Sequence, residues 1–166
     1  SPMLPVGLEL LQDMTIFGAG REDVLQVLLY HTRRVRVAAG RHFCQGRDAA
    51  NCMDVLESGR AAVVKEWQGR ELPLRELGPG DCFGEMALLD LYPRSAAVRA
   101  LTDCLAIELG PADLLRLFER DCEQFALIQM NIGREMCRRL RITDEMLFQA
   151  RMGDMTAADD TGFQAL

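Results

Sequence analysis

The spacing of apolar residues changes from helical to strand-like and then back to helical, and this most constrains how the 166-residue chain can fold. Between residues 33 and 109, short alternating or apolar runs are separated by glycine-containing turns. This pattern is typical of a small antiparallel barrel or jelly roll. On both sides of this region the apolar residues recur at helical spacing. The sequence therefore predicts a mainly β fold with flanking helices.

The same periods place the individual elements. Two N-terminal helices are predicted at residues 8–14 and 22–30, and two further helices at 114–118 and 125–152. Strands are predicted at residues 33–37, 53–57, 61–67, 96–101 and 105–109. Gln68-Gly69 is a hairpin signal, and the strand after it contains Pro73. Because proline donates no backbone hydrogen bond, we expect that strand to lie at a sheet edge or to be bulged.

Composition narrows the function classes. The net charge of −6 argues against direct nucleic-acid binding, which usually needs a basic face. The six cysteines form no C-x-x-C pair, so we expect no zinc or iron–sulfur site. The sequence contains no signal peptide and no apolar run long enough for a membrane span, and we expect a cytoplasmic protein with reduced cysteines.

One short segment carries polar groups suited to a sugar phosphate. Gly84 allows a close backbone approach, and a helical turn after it would direct free N–H groups at an anion. The guanidinium of Arg94 matches two phosphate oxygens, and Ser95 adds a hydroxyl donor beside it. Glu85 can accept a hydrogen bond from a ribose hydroxyl. The combination fits a sugar that carries a singly charged phosphate diester.

Residues 83–100, FGEMALLDLYPRSAAVRA, resemble the phosphate-binding cassette of the cyclic-nucleotide-binding domain family. Gly46, Gly59 and Gly80-Asp81 stand where that family places its barrel turns. The resemblance implies an eight-stranded antiparallel jelly-roll β-barrel with N-terminal helices and a long C-terminal helix. The expected organisation is a helical lead-in at residues 1–15, a ligand-binding domain at 16–152 and a flexible tail at 153–166, the tail because its residues are acidic and small.

The resemblance assigns roles to matching positions. Arg94 would bind the cyclic phosphate together with Ser95, and Glu85 would bind the ribose 2′-hydroxyl. Four further residues would supply backbone donors or line the cassette: Gly84, Met86, Ala87 and Ala96. Val63 and Leu74 stand where apolar barrel residues flank the ligand.

A second match lies in the long helix. Residues 138–145, RRLRITDE, are similar to the stretch of the bacterial cyclic AMP receptor protein that lies over the base. By that resemblance Arg139 would approach Glu85 and the ligand, and Thr143 would reach the purine edge. Two features depart from the family pattern: Pro73 in a barrel strand, and residues 90–92, which replace the usual glycine-containing turn.

The predicted function is that of a non-catalytic sensor. The sequence shows no activated nucleophile, no carboxylate pair with evident roles and no cofactor motif. The expected ligand is cyclic AMP, favoured over cyclic GMP because Ser95 matches the serine of bacterial relatives. Movement of the long helix would relay binding to a dimer mate or to another effector protein.

Alternatives stay open at this point. The chain could be a nucleotide-free interaction module on the same fold. It could also be the ligand domain of a transcription regulator that lacks its DNA-binding domain, because too few residues follow the long helix for a helix-turn-helix domain. Met136, Leu140 and Leu147 could form a dimer seam, or the same stripe could pack on the barrel.

Overall fold

The computed structural model of the chain describes residues 6–43, 52–84 and 96–162. The helices lie towards the two ends of the chain: α1 (Val6–Asp13), a short 3-10 helix (Thr15–Phe17), α2 (Glu22–His31), α3 (Pro111–Arg120) and α4 (Cys122–Gly162). Eight strands lie between them in the described ranges: β1 (Arg33–Val37), β2 (His42–Phe43), β3 (Met53–Ser58), β4 (Ala61–Trp67), β5 (Arg70–Leu77), β6 (Cys82–Phe83), β7 (Ala97–Ala100) and β8 (Cys104–Leu109).

The strands form two four-stranded antiparallel sheets. The first has the order β1-β8-β3-β6 and the second the order β2-β7-β4-β5. Neighbouring strands in each sheet are mostly distant in sequence, as expected of a jelly roll. The predicted mainly β fold with eight strands and flanking helices is confirmed.

Two hydrophobic clusters hold this arrangement together. One lies between the two sheets and includes Phe43, Leu56, Phe83 and Val98. The rings of Phe43 and Phe83 meet edge to face there, with centroids 5.0 Å apart. The other cluster lies between the first sheet and the helices: Leu8, Leu11, Met14, Ile16, Phe17, Val24, Leu25, Leu28, Leu29, Met53, Val55, Cys82, Ile107, Leu109, Leu117, Ile128 and Ile132. Strands of the first sheet are therefore covered on both faces.

The hairpin β4–β5 forms where the sequence predicts it. Gln68 and Gly69 have φ angles of 50° and 74°, the backbone that a two-residue hairpin turn requires. The β4–β5 register shifts between Val63 and Val64, which oppose Arg75 and Pro73. β5 is also the outermost strand of its sheet. The expectation that Pro73 lies in an edge or bulged strand is confirmed on both counts.

The long helix differs from its predicted bounds. α4 begins at Cys122 and continues to Gly162, past the end predicted near residue 152. It therefore includes residues 153–162 of the predicted tail, whose flexibility stays a prediction. Residues 154–158 include three residues of high helix propensity, Met155, Ala157 and Ala158, so Gly153 alone does not end the helix.

Buried contacts fix the first half of α4. Ile128 and Ile132 are fully buried in the cluster beneath the helices. The side-chain amide of Asn131 donates hydrogen bonds to the carbonyl oxygens of Ile16, at 3.1 Å, and Gly18, at 3.0 Å. These carbonyls would otherwise be left without a helical partner, because the 3-10 helix ends there. The N-terminal segment and α4 are thus held together.

Candidate functional site

The strand that leads into the predicted cassette is held to its neighbour β3. Phe83 and Cys82 of β6 pair with Asp54 and Val55. Just before them, the backbone N–H of Leu56 donates to the carbonyl of Asp81 at 2.9 Å. Gly84 follows with φ of +79°, in the left-handed region that glycine adopts without strain. The cassette therefore starts from a fixed backbone position.

The strand that leaves the cassette belongs to the other sheet. Ala96 immediately precedes β7, and Val98 of that strand is buried between the sheets. Val98 pairs with Val63 of β4, which packs partly buried against the same cluster. Gly84 thus follows a strand of the first sheet, and Ala96 precedes a strand of the second.

Five of the predicted ligand residues lie outside the described ranges: Glu85, Met86, Ala87, Arg94 and Ser95. Their assigned contacts with phosphate and ribose stay predictions. Val63 lies on the inner side of the second sheet, as its role beside the ligand requires. Leu74 lies in β5 at the register shift and is 59% exposed. Its place beside the ligand stays a prediction.

The two predicted residues of the long helix differ in their surroundings. Arg139 is half-buried, and burial lowers the pKa of its guanidinium, with Arg75 nearby as the second cause. The group stays charged, because a guanidinium does not lose its proton in proteins. Thr143 is exposed, and its hydroxyl donates to the carbonyl of Arg139 at 2.9 Å within the same helix. Its oxygen can still accept a hydrogen bond, so the predicted purine contact stays a prediction.

An open cleft of about 420 Å³ lies next to the start of the cassette. Its walls come from α1, the 3-10 helix, the turn before β6 and α4: Leu10, Asp13, Met14, Ile16, Pro79, Gly80, Asp81, Cys82, Glu135, Arg138 and Arg139. Within the wall of this cleft, Glu135 makes ion pairs with Arg138 and Arg139. The cleft thus brings the second predicted match, in α4, next to the strand that leads into the first.

Cys82 in the cleft wall and Cys104 elsewhere in the barrel are buried thiols. Burial raises the pKa of both above that of a free thiol, which makes them poor nucleophiles. Across the described ranges, no group of three or more His, Cys, Asp or Glu side chains is placed to hold a metal ion.

Sequence reasoning does not single out Asp54, yet this carboxylate is fully buried in β3 opposite Phe83. It shares the inner side of the sheet with Leu56, because alternate strand residues point the same way. Burying a carboxylate is costly unless it is compensated by polar contacts. A single acidic residue inside the apolar run of residues 53–56 was the available signal.

Comparison with known proteins agrees with this geometry. Residues 34–121 match the cyclic nucleotide-binding domain family. The chain belongs to this family. The match covers the region from β1 to the end of α3, and it includes the predicted cassette.

Individual relatives extend the likeness beyond the barrel. The chain is 34% identical to the cyclic AMP receptor protein of Thermus thermophilus over 76% of its own length and 57% of that protein. A crystal structure of the Thermus thermophilus catabolite activator protein superposes with a TM-score of 0.69, at 29% identity, over 80% of this chain and 61% of that one. The regulatory domain of Toxoplasma gondii PKA, crystallised with cAMP, superposes with a TM-score of 0.59 at 27% identity over 66% of this chain and 42% of that one. The chain thus spans little more than half of the curated receptor protein.

No helix in the described ranges is long and apolar enough to cross a membrane.

Proposed function

We propose that this chain is a non-catalytic sensor domain that binds a cyclic purine nucleotide, with cyclic AMP preferred to cyclic GMP. The observation that supports the proposal is the position of the described residues at the two ends of the cassette, residues 83–100. Gly84, with φ of +79°, follows the fixed strand β6, and Ala96 immediately precedes β7, whose Val98 is buried between the sheets. The named cyclic AMP relatives support the choice of ligand.

In this proposal each end of the ligand has its own partners. Arg94 and Ser95 bind the cyclic phosphate, and Glu85 binds the ribose 2′-hydroxyl. The purine lies against Val63 and Leu74. Arg94 carries most of the affinity, because a phosphate removed from water needs a charged donor that matches its geometry.

The proposed relay uses α4. Its first half is held by buried contacts, whereas Leu140 and Leu147 of the predicted seam are exposed. Met136, the third residue of that predicted seam, instead packs against the core of the same chain. We propose that the exposed part pairs with a second copy of the chain, and that ligand shifts its position by binding one arrangement more tightly.

The test of the ligand is isothermal titration calorimetry with cyclic AMP, cyclic GMP and linear 5′-AMP. We expect binding of the cyclic nucleotides, tighter for cyclic AMP, and far weaker binding of the linear compound. Arg94→Gln should cost about 2–5 kcal/mol of binding free energy, because the buried phosphate loses its charged partner.

Arg36→Gln is the matched control, since Arg36 is an exposed arginine on β1. It should leave the affinity unchanged. Absence of binding by every cyclic nucleotide would leave the nucleotide-free interaction module as the better description. Equal affinity of Arg94→Gln and the unchanged chain would refute the role of Arg94.

A further inference from the structure

A single residue separates α3 from α4. Asp121 lies between Arg120, the last residue of α3, and Cys122, the first residue of α4. Its φ and ψ angles of −153° and 91° are extended rather than helical. Residues at the ends of elements absorb the change in φ and ψ when two rigid elements rotate against each other. Asp121 is therefore the residue about which α4 would turn if its position relative to the barrel changed.

Both carboxylate oxygens of Asp121 have partners. Oδ1 accepts a hydrogen bond from the backbone N–H of Gln124 at 3.1 Å, which caps the first turn of α4. Oδ2 lies 2.9 Å from a guanidinium nitrogen of Arg21, the residue that precedes α2. The side chain of Asp121 is mostly buried, whereas that of Arg21 is more than half exposed. One ion pair thus joins the start of α2 to the junction of α3 and α4.

A second contact joins the same two helix starts. The backbone N–H of Arg21 donates a hydrogen bond to the side-chain Oε1 of Gln124 at 2.9 Å. An N–H at the start of a helix has no partner within that helix, and here α4 supplies one. Seven residues further along α4, Asn131 binds the carbonyls of Ile16 and Gly18. The N-terminal segment is therefore fastened to α4 at two levels.

The guanidinium of Arg21 also has a partner near its own position in the chain. Its Nε lies 3.2 Å from a carboxylate oxygen of Asp23, in the first turn of α2. Because this ion pair stays within the N-terminal segment, it does not hold α4. An ion pair with an exposed partner shifts an equilibrium only about two- to fivefold. The pair with Asp121 is thus too weak to decide the fold, but strong enough to bias two positions of a helix.

The described position of α4 brings one of its predicted ligand residues to the barrel. Arg139 shares the wall of the cleft with Cys82, which lies two residues before Gly84. Arg75 of β5 is close enough to Arg139 to contribute to the lowering of its pKa. In the proposed function Arg139 approaches the ligand. The position of α4 that Arg21 stabilises is therefore the one that suits ligand binding.

We propose that Arg21 is a positioning residue for α4, because its ion pair with Asp121 holds the junction of α3 and α4 in the arrangement that brings Arg139 to the ligand. The inference rests on the proposed function, since ligand affinity is one of its two readouts. Loss of the pair leaves the fold intact and lowers the fraction of the chain in this arrangement. The apparent affinity for the ligand falls with that fraction.

Fluorescence energy transfer tests the position of α4 without a ligand. Trp67, the single tryptophan of the chain, is the donor on the barrel, and a dye on the exposed thiol of Cys137 is the acceptor on α4. Cys44 and Cys122 are replaced by serine in every variant, so that the dye reacts with Cys137. Arg21→Gln should lower the transfer efficiency, whereas Arg21→Lys, which keeps the charge, should restore most of it.

Calorimetry with cyclic AMP measures the consequence for the ligand. Arg21→Gln should lower the affinity about two- to fivefold at low salt. The difference should disappear near 1 M salt, where charges are screened beyond about 3 Å. Asp121→Asn should lower the affinity equally, because asparagine still caps α4 but carries no charge. The double variant should bind no more weakly than either single variant, since both remove the same ion pair.

Asp23→Asn is the matched control, because it removes the ion pair of Arg21 that stays within the N-terminal segment. It should lower neither the transfer efficiency nor the affinity. The proposal is overturned if Arg21→Gln leaves the transfer efficiency unchanged, if it leaves the affinity of a binding-competent chain unchanged, or if Asp23→Asn has the same effects. If the transfer efficiency falls as expected but no variant binds a cyclic nucleotide, Arg21 positions α4 and the proposed function is wrong.

Discussion

The two halves of α4 are built from similar residues but have different surroundings. In the first half, Ile128 and Ile132 are buried against the barrel, and Asn131 ties the helix to the N-terminal segment. In the second half, the large apolar side chains are exposed: Leu140, Ile142, Met146, Leu147, Phe148, Met152 and Met155. The first half therefore contributes to the stability of this chain, and the exposed second half is the basis of the proposal that it pairs with a second copy.

The largest test of this contrast exchanges one isoleucine in each half. Ile132 is 0% exposed and Ile142 is 56% exposed. Ile132→Ala should lower the free energy of unfolding by about 2–5 kcal/mol, because it leaves a cavity in the core. Ile142→Ala should change it by less than about 0.5 kcal/mol. Urea denaturation at a concentration where the chain is monomeric measures both, and equal losses would contradict the division of the helix.

A smaller effect is expected from the amide that joins α4 to the N-terminal segment. Asn131→Ala leaves the carbonyls of Ile16 and Gly18 without their donor. The expected loss of unfolding free energy is about 1–3 kcal/mol, since a buried acceptor without a partner is costly. Gln149→Ala removes a surface amide of the same helix and serves as the control. A loss no greater than that of the control would show that the amide does not fasten the helix.

Substitutions in the second half of α4 should have the smallest effect on the free energy of unfolding and the largest effect on dimerisation. The double variant Leu140→Glu, Leu147→Glu should leave the unfolding free energy nearly unchanged, because both side chains are exposed. It should convert dimer to monomer, since four carboxylates would be forced together at the seam. Light scattering after size-exclusion chromatography gives the mass with and without cyclic AMP.

Leu115→Glu is the control for that experiment, because Leu115 is equally exposed on α3. A dimer should persist in this variant. Either a chain that is monomeric under all conditions, or a double variant that still dimerises, would rule out the proposed seam.

Local features of the fold were predictable because they depend on neighbouring residues. The hairpin turn at Gln68-Gly69 and the edge position of Pro73 follow from backbone constraints that each residue carries with it. The C-terminal end of α4 was not predictable from the sequence. Gly153 by itself destabilises a helix by only about 1 kcal/mol, and the high helix propensity of its neighbours offsets that cost.

One part of the candidate site could be predicted from the sequence, and another part could not. The cassette could be recognised in the sequence, because its glycine, carboxylate, arginine and serine lie within a dozen or so neighbouring positions. The cleft beside it could not be predicted, because its walls come from α1, the 3-10 helix, the turn before β6 and α4, which are far apart in the sequence.

The sequence by itself predicted the order of the helices and of the longer strands, and it showed the resemblance of residues 83–100 to the cassette, because period and local chemistry are carried by adjacent residues. The tertiary structure decided which strands pair, which carboxylate is buried, and which half of α4 has a partner within the chain. These depend on contacts between residues far apart in sequence, such as Asp54 with Phe83 and Asn131 with Ile16. Such contacts exist only after the chain has closed around its core.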